Sequence, residues 1–305
     1  MRVASVELNG TSALVEAALD GTLRVLTLDG VSPVTSLTHF LQSGGAVDSL
    51  ETLREIPPSE RVRWLPPLVP GKICAVAINN RSFDGARISG PDHPAFFLKS
   101  PTSLVGHGEA VILRESYGLT HPEPELAVII GKRARRVSEE DAMSFVFGYS
   151  ILNDITSVRM RNEDHFNFRF EMPDGAGGFT NVEQHTSYAG RYKGADTFGP
   201  LGPAIVTRDE ISDPDDLGVR CWLDDELVQS DRTSSYRYKA AQVVSFISQF
   251  DTLLPGDIVS MGTAVSGAGG ASRPLSSLDL RAGVGSVTIE IEGVGTLRNP
   301  VTIEV

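Results

Sequence analysis

The sequence predicts a β-rich α+β protein built in two parts, and three observations carry that expectation. Short runs rich in β-branched residues, separated by turn residues, recur along the whole chain. Helical periodicity is rare and clearest over residues 241–250, where Val243, Val244 and Ile247 share one face. Between the parts lies Trp64-Leu-Pro-Pro-Leu-Val-Pro70, whose prolines fix φ and remove amide donors, so a linker is expected there. A boundary near residue 68 divides a small N-terminal β-rich domain, residues 1–68, from a large domain, residues 69–305.

Taken in order, residues 2–8, 12–17 and 23–28 read as strands split by Asn9-Gly10 and Asp20-Gly21, both turn dipeptides. Residues 37–41 read as a short helix ended near Gly44-Gly45, and Pro57-Pro58 follows. Lys72-Ile-Cys-Ala-Val-Ala-Ile78 is a buried-strand candidate. Ser138-Glu-Glu-Asp141 has capping-box form, predicting a helix that runs to Phe147 and stops at Gly148. The strand over residues 149–152 then delivers Asn153 and Asp154. Residues 162–192 combine aromatics with the Gly-rich Asp174-Gly-Ala-Gly-Gly-Phe179, which suggests a lid able to close over a ligand. Residues 219–223 and 226–228 make a hairpin about Asp224-Asp225, and residues 287–292 alternate at period two as a late strand. Gly262-Thr-Ala-Val-Ser-Gly-Ala-Gly-Gly270 lacks a following P-loop lysine and reads as a flexible rim beside a substrate.

Chemistry concentrates in His121-Pro-Glu-Pro-Glu-Leu-Ala-Val-Ile-Ile-Gly131. Glu123 and Glu125 stand two residues apart, which on a strand is the same face. Asp154 closes the next apolar segment. Three carboxylates converging from neighbouring elements suit a hard divalent cation such as Mg²⁺, Mn²⁺ or Ca²⁺. A pair of solvated strand-edge glutamates and a loop aspartate is the other reading that spacing leaves open.

Resemblance favours the first reading. Pro94-Ala-Phe-Phe-Leu-Lys-Ser100, Glu123-Pro-Glu-Leu-Ala-Val-Ile-Ile-Gly-Lys132, Val137-Ser-Glu-Glu-Asp-Ala142, Gly148-Tyr-Ser-Ile-Leu-Asn-Asp154, Lys193-Gly-Ala-Asp-Thr-Phe-Gly-Pro-Leu-Gly-Pro203 and Pro255-Gly-Asp-Ile-Val-Ser-Met-Gly-Thr263 occur in the order seen in the fumarylacetoacetate hydrolase superfamily. From about Gly71 onward the chain resembles that family. The resemblance implies a mixed β-roll catalytic domain behind a small N-terminal one, and a homodimer. It implies a divalent metal, Mg²⁺ or Mn²⁺, on Glu123, Glu125 and Asp154, with Lys193 contacting a substrate oxygen. Lys99 and Thr263 are further substrate-side candidates.

Two departures stand out. Where relatives carry Asn-Tyr-x-x-His-x-x-Glu, with a water-activating His/Glu pair, this chain has Phe83 and Ala86 in the two catalytic places. Where relatives place Arg and Gln after the metal aspartate, it has Val158 and Arg161, with Arg159 beside the first gap. Arg159 or Arg161 could hold a substrate acid group, since guanidinium reads carboxylate in bidentate fashion; a surface arginine is the competing reading. His165, close to Glu163, is the candidate replacement for the missing pair, against a plain loop histidine.

The activity these residues imply is cleavage of a carbon–carbon bond in a small acylpyruvate or 1,3-diketo acid by a metal-dependent hydrolase. Decarboxylation of a β-keto acid, and hydration, dehydration or isomerisation of an enol acid, are the alternatives. A keto-acid binder without catalysis is the reading from another class. A net charge of −12 over 305 residues argues against nucleic acid or anionic membrane as partner. Cys74 and Cys221 form neither a disulfide framework nor a zinc pattern. With no leader-like N-terminus and no bilayer-length apolar run, a cytoplasmic protein is expected.

Overall fold

The computed structural model describes residues 1–57, 59–265 and 273–304. Among these, one twelve-stranded mixed sheet faces a second, five-stranded sheet. The large sheet runs Glu51–Ile56, Leu23–Thr27, Thr11–Ala17, Arg2–Leu8, Gly199–Thr207, Val146–Asn153, Pro124–Ile130, Ile258–Thr263, Ile73–Ala77 and Ala95–Lys99, with Arg63–Leu65 and Leu104–Val105 pairing off this path. Most neighbours are antiparallel, but Ile258–Thr263 lies parallel to Ile73–Ala77. The five-stranded sheet runs Glu226–Arg232, Gly218–Leu223, Ser286–Ile291, Gly295–Glu304 and Val111–Arg114. The β-rich α+β class and its mixed β-roll are thus present, with the N-terminal strands joined edge-on through Arg2–Leu8 to Gly199–Thr207.

Pro124–Ile130 is the spine. Every residue of it is buried. Leu126, Val128 and Ile130 enter one core cluster, shared with the five-stranded sheet and the helix Ala240–Phe250, while Ala127 and Ile129 enter another under the helix Leu37–Gln42. Alternation at period two therefore fills both faces of a central strand.

Two expected elements differ. Ser138 does cap a helix, its side chain accepting from the Asp141 amide, but the α-helix covers only Glu139–Ala142 before a 3₁₀ turn over Met143–Phe145. The strand Val146–Asn153 then begins, because Val146 pairs with Ile130 and the Phe145 carbonyl accepts from Gly131. Ladder pairing of a core strand outweighs local helix propensity there. Residues 162–192 are largely regular: the strands His165–Pro173 and Phe179–Ser187 pair in unbroken register as a hairpin that, among the described residues, pairs with no other strand. Of the expected glycine-rich rim, residues 266–270 lie outside the described residues.

Candidate metal centre

Three breaks in regular structure bring the acidic side chains together. Glu123 immediately precedes the spine strand, and its amide donates to Asn153 Oδ1 at 3.0 Å while its carbonyl accepts from the Asp154 amide at 2.9 Å. Asn153 thus ties the end of one strand to the start of its neighbour. A register shift against Ile258–Thr263 then leaves Thr263 opposite Glu125. Gly262 makes that bulge possible: its φ is +93°, and a Cβ there would sit 2.9 Å from the Asn79 Cβ.

One oxygen from each of Glu123, Glu125 and Asp154 lies within 4.8 Å of the others. Glu125 and Asp154 are each 1% exposed. Two ammonium groups enter the same volume. Lys193 Nζ lies 2.5 Å from Asp154 Oδ2 and 3.0 Å from Glu123 Oε2; Lys99 Nζ lies 2.9 Å from Asp154 Oδ1 and also donates to the Lys193 carbonyl. Lys193 further sits over the Phe97 ring. The sequence-expected Glu123, Glu125, Asp154, Lys193 and Lys99 are therefore one cluster, with Thr263 at its edge.

Electrostatics divides the members. Burial pushes the Glu125 carboxyl well above the ordinary glutamate value, reinforced by Asp154. Its contacts are Ser260 Oγ at 2.5 Å and the Gly262 amide at 3.1 Å, and no ion pair reaches it among the described residues. Burial acts on Asp154 as well, but Lys193 and Lys99 outweigh it and hold that carboxyl below its usual value. Burial lowers the Lys99 ammonium. For Lys193, the carboxylates of Asp154, Glu123 and Glu125 overcome burial and keep the ammonium charged.

The donor set fits a hard dication. It offers only oxygen, its three carboxylates outnumber its two ammoniums, and Glu125 is a buried carboxyl with no cation of its own. Short hydroxyl residues that sequence reasoning passed over complete the shell: Thr156 Oγ1 donates to Glu123 Oε1 at 2.6 Å, and Ser260 holds Glu125. A serine inside the apolar run Ile-Val-Ser-Met was the available signal for Ser260. His121, 3% exposed, places Nδ1 3.7 Å from Glu123 Oε1.

The remaining candidates lie elsewhere. Glu163 is exposed, held by Arg159 at 3.1 Å and Arg191 at 2.8 Å. His165 opens the hairpin, its ring 5.0 Å from that of His185. Neither has a described contact with the three carboxylates. On the helix Val158–Glu163, Arg159 and Glu163 are one turn apart and line a cleft of about 390 Å³ with Arg114 and Arg191. Arg161 lies on another side of that helix, where its charge reaches His121, and no ion pair holds it among the described residues.

Fold and site together define an enzyme-type centre that acts on small molecules, with a cluster of carboxylates able to hold a divalent metal. Residues 74–302 match the family model of the fumarylacetoacetate (FAA) hydrolase C-terminal domain, and the chain belongs to that superfamily. It is 30% identical over 290 residues to a mitochondrial oxaloacetate tautomerase of Rattus norvegicus, covering 92% of this chain and 84% of the relative. The crystal structure of 2-hydroxyhepta-2,4-diene-1,7-dioate isomerase from Mycobacterium marinum superposes with a TM-score of 0.71 at 29% identity, covering 100% of this chain and 99% of that one. Maleylpyruvate hydrolase from Sphingobium sp. SYK-6, solved with manganese(II) and pyruvate, superposes with a TM-score of 0.72 at 26% identity over the full length of both chains. No helix among the described residues is long and apolar enough to cross a membrane.

Proposed function

We propose that this protein isomerises a small 2-oxo acid, interconverting its keto and enol forms at a divalent-metal centre held by Glu123, Glu125 and Asp154. The observation that carries the reading is a complete carboxylate–lysine cluster beside a segment in which Phe83 and Ala86 stand where water activation would need a base. Asn79 and Asn80 anchor that segment to the strand ending in Thr263, so Phe83 and Ala86 leave from the edge of the site. Hydrolysis, the activity first expected, requires a water activated as nucleophile; enolisation needs no nucleophile, only a base that takes the proton from the carbon next to the oxo group and a donor that returns one to the 2-oxygen. Two of the similar proteins, a tautomerase and an isomerase by name, support the same alternative.

A divalent cation bound here would supply Lewis-acid stabilisation of the negative charge that develops as the 2-oxo acid enolises. Lys193 keeps its proton on Nζ and presents a second, fixed positive charge in a water-poor setting. Lys99 neutralises the far oxygen of Asp154 and holds the Lys193 backbone through its carbonyl. Arg161, which has no ion pair among the described residues and whose charge is felt by His121, is the arginine we assign to the substrate's distal carboxylate; Arg159 is already engaged by Glu163.

Oxaloacetate with Mg²⁺-loaded protein tests the reading. The expected result is accelerated loss of enol absorbance and deuterium uptake at C3 from heavy water, without pyruvate. Pyruvate and CO₂ as the products would replace it with decarboxylation. Cleavage of acetylpyruvate with no tautomerisation would return the hydrolase.

A further inference from the structure

Asp231 belongs to neither the carboxylate cluster nor the large sheet. It sits on Glu226–Arg232 and is 9% exposed. Among the described residues, four donors converge on its two oxygens. Oδ2 accepts from Asn80 Nδ2 at 2.8 Å and from the Val265 amide at 3.1 Å; Oδ1 accepts from Ser235 Oγ at 2.7 Å and the Arg232 amide at 2.8 Å.

The two donors on Oδ2 come from the two segments that flank the site. Asn80 also donates to the Thr263 carbonyl at 3.3 Å, and its Oδ1 accepts from the Ser82 amide, capping the turn Arg81–Phe83. Val265 lies two residues past Thr263, whose register partner is Glu125. Thr263 Oγ1 is buried and has no hydrogen-bond partner among the described residues. Behind Asn80, Asn79 Nδ2 donates to the Met261 carbonyl at 2.8 Å, and Ile78 is held at φ +53°. A β-branched residue enters that left-handed region only where its surroundings impose it.

We propose that Asp231 is a positioning residue for the 2-oxo acid: its carboxylate clamps the Asn80 segment to the strand end at Thr263 and so fixes the Thr263 hydroxyl beside Glu125, ready for the substrate. The clamp rests on the proposed function above. A carboxylate is the side chain that offers acceptors on both sides at once. Asparagine would turn an NH₂ group toward at least one of the two donor pairs.

The test uses the full chain, with pyruvate titrated calorimetrically into Mg²⁺-loaded wild type, Asp231→Asn, Asn80→Ala and the double variant. Each single change is expected to weaken pyruvate about tenfold, from loss of hydrogen bonds to a charged group. The double variant is expected to be little weaker than either, because both break one clamp. Mg²⁺ affinity stays within about twofold, since the three metal carboxylates are untouched, and trypsin cuts faster after Arg81 and Arg87. Asn80→Ala keeps the test open if Asp231→Asn folds poorly. Wild-type pyruvate affinity in both single variants overturns the clamp alone, as does loss of Mg²⁺ binding together with pyruvate binding. A wild type that binds Mg²⁺ but no 2-oxo acid overturns the functional reading, and the positioning role with it.

Discussion

Arg191 and Lys193 stand two residues apart on the one-turn helix Gly190–Gly194, yet they belong to different worlds. Lys193 is 7% exposed and bridges two carboxylates of the candidate metal centre. Arg191 is half-exposed and pairs with Glu163 and Asp164 at the neck of the hairpin. Both networks contain alternating acids and bases at contact distance. Burial alone separates a centre whose charges shift one another's protonation from a surface network that water and salt largely screen.

Breaking the buried network has the largest expected effect. Asp154→Ala removes the one partner shared by Lys99 and Lys193, leaving the buried Lys99 ammonium without a carboxylate and Lys193 with Glu123 alone. A loss of about 3–5 kcal/mol in unfolding free energy is expected from an orphaned buried charge, measured by urea titration. Saturable Mg²⁺ or Mn²⁺ binding should vanish in the same variant. Retained metal binding would show the carboxylate cluster to be structural only.

Protonation sharpens the contrast further, because Glu125 and Asp154 have opposite signs. The Asp154 carboxyl is depressed, so its stabilisation is present above the unfolded value of 3.8 and is lost as pH falls through its lower folded value. The Glu125 carboxyl is raised, so metal-free protein loses stability as pH climbs from about 4.5 toward the higher folded value. A cation on Glu125 must displace that proton. Metal affinity should therefore rise with pH, and calorimetry in buffers of different ionisation enthalpy should record proton release. Glu125→Gln should flatten the stability slope above pH 4.5 and abolish the proton release.

How much of this was legible follows the same division. The spine strand could be read because alternation is local, and both cores confirm it at Leu126, Ala127, Val128 and Ile129; Glu-x-Glu spacing left the three carboxylates open between a cation site and a solvated edge, and it was the family resemblance that favoured the cation. The one-turn helix at Glu139–Ala142 was overestimated because its cap is local while the pairing of Val146 with Ile130 is not. Ser260 and Thr156 were missed because a hydroxyl matters here only through a partner distant in sequence. Arg159 and Arg161 looked equivalent until the helix gave one of them to Glu163.

Those two arginines supply a smaller effect. Arg161→Ala should raise the KM for a dicarboxylic 2-oxo acid about tenfold, the cost of one charge-assisted pair, with kcat little changed. Arg159→Ala should leave both constants near wild type. The reverse pattern in steady-state kinetics would move the substrate to the cleft lined by Arg114, Arg159 and Arg191.

The smallest effect belongs to the hairpin itself. Its strands pair with each other and, among the described residues, with no other strand, and Phe166, Phe168, Phe170 and Met172 are exposed at alternate positions along it. A two-stranded ribbon with so little packed surface adds little to the stability of the body that carries it. Replacing residues 167–185 by a short glycine–serine turn should therefore leave the urea midpoint and the Mg²⁺ affinity unchanged, provided the Arg191–Asp164 pair at the neck is kept. If the aromatic face closes over the substrate, the same variant should raise KM for a 2-oxo acid with an extended tail and spare pyruvate binding. A drop in Mg²⁺ affinity on truncation would mean that the neck, and not burial alone, holds Lys193 between Glu123 and Asp154.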